Sequence, residues 1–207
     1  VLAEVLPLLR DVGWQPNPVL HTLVALAALG FLIAQARMLY MAKGISAWRA
    51  PLIPWMVIIS GIFEGIAILA VLWVLRPWSP APDGMGGLAG AGLIFAIATF
   101  ILWVSYRLKA QEAGIGPLSR RDLAAITPAV AGIGHIVPAL LFTLLQLAPG
   151  LPQAPLFLAA GLTALSGGLL WKHQMITRIC HHQGYELPKV PQRGSGRAAA
   201  PARLKAA

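Results

Sequence analysis

"IISGIFEGIAILAVLW", residues 58–73, carries one charged side chain, Glu64, near its centre and between Gly61 and Gly65. Whether this stretch crosses a membrane decides the fold. With its flanks it extends over 51–76, and a spanning helix needs roughly 20 apolar residues. Segments 18–42, 86–109, 123–147 and 154–178 have the same character. Each reaches roughly 35–40 Å at about 1.5 Å per residue, enough to span with some tilt. A soluble bundle would need charged outer faces, which these segments lack.

Composition points the same way. The chain of 207 residues is 57% hydrophobic and 11% charged, with mean hydropathy +0.72, where a soluble domain carries about 25% charged residues. No Asp, Glu, Lys or Arg occurs from Val12 to Ala36, from Gly84 to Tyr106, or from Leu123 to Trp171. The expected fold class is therefore all-α: a polytopic integral membrane helix bundle with about five transmembrane helices over 18–182. Residues 1–17 are too short to span and read as an interfacial or extramembrane segment. They lack the basic start and cleavage site of a signal peptide. Residues 183–207, rich in Ala, Pro and Arg, read as a basic disordered tail.

Punctuation separates the helices. Pro51 opens the second, where its missing N–H costs nothing. "RPWSPAPDGMGG", "QEAGIGPLSRRD" and "APGLPQAP" read as the next three connections. Lys and Arg set the orientation. Fourteen fall in 37–50, 107–122 or the C-terminal region from Lys172, against Arg10 and Arg76 on the other side. Positive loops stay cytoplasmic, so the N-terminus is expected outside and the C-terminus in the cytoplasm. The net charge of +9 is then a topology signal, helped by anionic membrane lipid, and needs no nucleic-acid partner. The seven Trp residues lie near segment ends and read as interfacial belts.

The chemistry available is limited. One cysteine, Cys180, excludes a disulfide and an iron–sulfur ligand set within the chain. No phosphate loop, metal spacing or nucleophile motif occurs. The five histidines give no pair at matching depth for a membrane haem, so neither haem nor metal is expected in this chain. Two polar residues sit at mid-depth. Glu64 costs at least ~2.5 kcal/mol there if charged, so it faces protein or water, or is held neutral. It reads as a proton-relay or quinone-linked group, or as a carboxyl bonding a neighbouring helix through the close approach that Gly61 and Gly65 allow. His135, in "GIGHIVP", has the same two readings, with Pro138 freeing the Gly134 carbonyl. Arg37 and Tyr40 lie near the inner end of the first helix, where an Arg snorkels. Lys172 reads as an interfacial anchor. His21, at the outer end of the first helix, bonds a quinone carbonyl or caps and faces water.

A family resemblance adds to these readings. "ARMLYMAKGISAWRAPLIPWMVIISGIFEGIAIL" resembles the membrane-anchor subunits of dimethyl sulfoxide reductase and of the wider polysulfide and nitrite reductase anchor family. Tyr40, Trp48, Pro51, Pro54, Ser60, Gly61 and Gly65 carry that likeness. "SGGLLWKHQMITRICHHQGYELP" is similar to the family's last helix, through Gly167, Gly168, Lys172, Thr177, Arg178, Gln183, Gly184, Leu187 and Pro188. The family usually has eight or more helices, and these five match the later ones, so the expectation is a shortened member or an incomplete sequence. Such anchors hold an iron–sulfur electron-transfer subunit and a molybdopterin or tungstopterin catalytic subunit on a bacterial inner membrane. They exchange electrons and protons with quinone or quinol, either menaquinone or ubiquinone. The resemblance implies that role here, with His21, Arg37, Tyr40, Glu64, His135 and Lys172 as quinone or proton-path candidates and no catalytic residue in the chain. The contrasting reading is a small proton- or solute-translocating protein using Glu64 and His135, although no internal repeat of the transporter kind is evident.

Overall fold

The computed structural model describes residues 18–42, 44–75 and 85–184. Helices α1 (Pro18–Tyr40), α2 (Ile53–Val74), α3 (Met85–Leu108), α4 (Pro117–Leu147) and α5 (Gln153–Ile179) are each long and apolar enough to cross a membrane. No strand occurs among the described residues. The protein is a multi-pass membrane protein of the all-α class. The segments expected over 1–17 and in the tail lie outside the described residues, apart from Gln183 and Gly184, which end a short 3₁₀ turn, His181–Gly184.

Helix boundaries follow local chemistry. The fourth helix begins earlier than its apolar run suggested. Extended Gly116 (φ −65°, ψ 165°) precedes Pro117 in the first turn, and proline is pre-set for that position. Arg120, Arg121 and Asp122 therefore lie on helix, not in the connection. Deeper in α4, the stretch Gly132–Ile136 widens into a π turn, and the Val137 N–H bonds the Gly132 carbonyl. This turn accommodates Pro138, which has no N–H to give a regular ladder. A second π turn, Met175–Ile179, closes α5.

Helices α2, α3, α4 and α5 form a ring in which each packs on two neighbours, and α1 lies outside it against α2. Small residues line the contacts: Ala67, Ala70, Ala96, Ala160 and Ala164 are all at most 1% exposed. Small side chains let backbones approach where lipid gives no hydrophobic drive to associate. Gly61 receives the Leu32 side chain of α1. Gly134 and Gly167 touch backbone to backbone, joining α4 to α5.

Two apolar clusters fill the ring. One holds Met56, Trp103, Tyr106, Leu123, Trp171 and Ile179; the other holds Phe63, Ala96, Phe142, Phe157 and Ala164. Between them lie the buried polar side chains of Ser60, Thr99 and His135. The first cluster is tied shut at its end of the bundle. Tyr106 Oη donates to the Ala47 carbonyl at 3.1 Å, and Ser119 Oγ to the Ile179 carbonyl at 2.7 Å. His182 pairs with Asp122 at 2.9 Å. These bonds gather the 44–52 loop, the end of α3, the start of α4 and the end of α5 on one face, the basic one. The tryptophans are not uniformly a belt. Trp55 is 60% exposed, whereas Trp103 and Trp171 are core residues at 1% and 5%. Their ring centroids lie 6.4 Å apart.

Candidate functional site

Glu64 sits about 16 Å along α2 from Ile53, at 1.5 Å per residue. Lys172 sits about 10 Å from the end of α5 by the same measure. The antiparallel packing of α2 and α5 brings the two side chains together, and Lys172 Nζ donates to Glu64 Oε2 at 2.6 Å. That distance is short for a charge-assisted bond. The Lys172 and Glu64 side chains are 39% and 21% exposed. Lys172 is thus no free interfacial anchor: its four-carbon stem carries the ammonium inward to the acid.

Space for the carboxylate comes from α5. Gly168 lies directly against Glu64 Oε1, where any Cβ would collide, whereas Gly65 has open space around it and Gly61 is occupied by Leu32. The expected close approach exists, but a different glycine makes it. Oε1 is buried and has no hydrogen-bond partner. The carboxylate therefore keeps one acceptor oxygen unspent inside the protein.

Lys172 of the pair lines a groove between α1, α2 and α5 of about 230 Å³. Gln35 and Leu39 of α1, Ile53 and Val57 of α2, Trp48 of the preceding loop, and Trp171, Lys172, Met175 and Ile176 of α5 line it. The walls are apolar and the polar groups few, as in small-molecule sites generally. Lys172 Nζ also lies 5.9 Å from the Trp171 ring centroid. Near the groove, burial pushes the Cys180 thiol up to about 12, against a hydrogen bond with Trp48 that acts the other way. A thiol so shifted forms little thiolate and makes a poor redox or nucleophilic group.

His135 belongs to a separate setting. It is 5% exposed, and its Nδ1 lies 3.2 Å from Thr99 Oγ1. Thr99 spends its own proton on the Phe95 carbonyl at 2.8 Å or the Ala96 carbonyl at 3.0 Å. The tautomer of the imidazole decides which atom of the Nδ1···Oγ1 contact donates, and the ring also bonds the Gly134 backbone. The ring borders a small interior chamber with Met56, Ser60, Thr99, Leu102, Trp103 and Trp171. It also borders a groove between α3 and α4 of about 260 Å³, among Phe100, Ile136 and Thr143. Trp171 lines both the interior chamber and the Lys172 groove and stands between them.

Of the six residues singled out from sequence, the structure brings together Glu64 and Lys172. His135 is one helix pair away, behind Trp171. Arg37, Tyr40 and His21 are all exposed on α1. Gln35, Trp48 and Gly168 complete the groove and pair but were not singled out as site residues; the glycine's role appears only once α5 is laid against Glu64. Among the described residues, no three His, Cys, Asp or Glu side chains gather as a metal cage. No protein family, curated protein or solved structure matches the chain.

Proposed function

We propose that this chain is a quinone-reactive membrane-anchor subunit of a multi-subunit oxidoreductase, exchanging electrons and protons with membrane quinone. Its partners on this reading are an iron–sulfur subunit and a molybdopterin or tungstopterin catalytic subunit. The observation that carries the reading is the partly open Glu64–Lys172 pair at 2.6 Å, whose lysine lines an apolar groove. The Lys172 ammonium has two further N–H donors for a quinone carbonyl. Glu64, with an unspent oxygen, takes or gives one of the two protons that accompany two electrons in quinone chemistry. Trp48 and Lys172, from the two patches that resemble the anchor family, lie far apart in sequence and line the same groove. The membrane on this reading is a bacterial inner membrane, with the basic face and C-terminus cytoplasmic. An alkaline-phosphatase fusion after Ala207 with full activity would refute that orientation.

The test of function is Glu64→Gln. The amide keeps size and still hydrogen-bonds, so the complex should assemble, while quinone-linked turnover per assembled complex falls across the pH range. If Gln at 64 matches the parent at every pH, Glu64 carries no proton. If the chain leaves native membranes in mild detergent with no iron–sulfur partner, the anchor reading fails as a whole.

A further inference from the structure

The interior chamber between α2, α3, α4 and α5 is not used by the groove chemistry. Its volume is about 10 Å³, and a single water needs roughly 10–15 Å³ measured this way. Its lining is mostly apolar but includes four side chains with polar atoms: Ser60, Thr99, Trp103 and His135. Trp103 is 1% exposed, and its Nε1 is buried with no hydrogen-bond partner. An indole N–H is a donor only and nearly always finds a partner when buried. The Ser60 hydroxyl makes only a long bond of 3.4 Å to the Val57 carbonyl, so it is barely spent. The His135 imidazole borders the chamber too, and a water there can donate to or accept from a ring nitrogen according to its tautomer.

We infer that this chamber binds one internal water molecule, held by the Trp103 indole N–H together with Ser60 and His135. The water accepts from Trp103 and bonds Ser60 and His135, so that α2, α3 and α4 share a hydrogen-bonded link between two apolar clusters. Two to four polar partners are what a buried water requires, and the chamber supplies them. In this arrangement His135 is one end of a polar link through the core. The inference stands on the chamber alone and does not depend on the quinone reading. The competing partner for Trp103 is the π face of Trp171, whose ring is tilted by 59° to it.

The full chain in lipid nanodiscs, with ¹⁵N-labelled tryptophan indoles, separates the two. The Trp103 indole resonance is assigned as the one lost in Trp103→Phe, or by elimination with the other Trp→Phe variants if that one does not fold. A water partner predicts a cross-peak between the Trp103 indole proton and a long-lived water, lost in Ser60→Ala or His135→Phe while the indole resonance itself persists. An indole proton shifted upfield by the Trp171 ring, with no water cross-peak in the parent, would show the chamber dry and overturn the inference.

Discussion

Glu64–Lys172 and Thr99–His135 are two polar pairs set within about one helical turn of each other, since Ser60 at the His135 chamber is four residues from Glu64. They are built differently. The first can hold full charge, sits partly open beside a groove, and rests on a flexible carboxylate fitted over Gly168. The second is a hydroxyl and an imidazole closed into the core, and rests on the rigid backbone contact of Gly134 with Gly167. Charge is costly in hydrocarbon and is kept where protein or water compensates it. A neutral hydrogen-bonded pair can be closed in fully. Two adjacent glycines of α5 thus serve two unlike sites, one suited to exchange and the other to fixing the bundle.

That contrast is broken or sharpened most forcefully at the glycines. A Cβ on Gly167 would overlap the Gly134 backbone, which cannot step aside without separating α4 from α5. A Cβ on Gly168 meets the end of the Glu64 side chain, which can swing. Gly167→Ala should therefore destabilise by about 3 kcal/mol, at the upper end of overpacking costs. Gly168→Ala should cost less, about 1–2 kcal/mol, because Glu64 must shift from Lys172 to make room. Unfolding titrations in detergent measure both. Equal losses would mean that the carboxylate is as fixed as the backbone, and the distinction between the two sites would collapse.

The sequence shows half of this plainly. Five apolar segments separated by Pro- and Gly-rich connections give the class and the spans, because hydrocarbon leaves the backbone few choices. Glu64 stands out because nothing near it in the chain is charged. Lys172 is visible as a candidate too, but a Lys close to a helix end also looks like an anchor, and its direction is decided by which helix lies opposite. The partner of Glu64 is 108 residues away, and no local pattern encodes that pairing. The glycines beside Glu64 in sequence were the natural guess for its close contact, whereas Gly168 becomes its neighbour only in the packed bundle. Trp103 and Trp171 lie near helix ends, where belt residues sit, but the ring of four helices turns them inward.

The smaller expected effect concerns the charge pair itself. Lys172→Met keeps most of the side chain's length and removes the ammonium, leaving Glu64 without its partner. A fully buried pair broken from one side costs several kcal/mol, because an uncompensated charge remains. This pair is 39% and 21% exposed, so solvent and lipid headgroups screen part of that loss. We expect a destabilisation of about 1–2 kcal/mol. Glu64→Gln alone removes the acid's charge but keeps a carbonyl for Lys172 to bond, so it should cost less. The decisive number is the double variant. If the loss in Lys172→Met comes from a stranded carboxylate, adding Glu64→Gln should recover roughly 1 kcal/mol, a coupling typical of groups in contact. Thermal unfolding of the four proteins at one pH and salt concentration measures it. Strict additivity would mean that the two side chains do not act on each other, and the groove would lose the charged edge that distinguishes it from the His135 chamber.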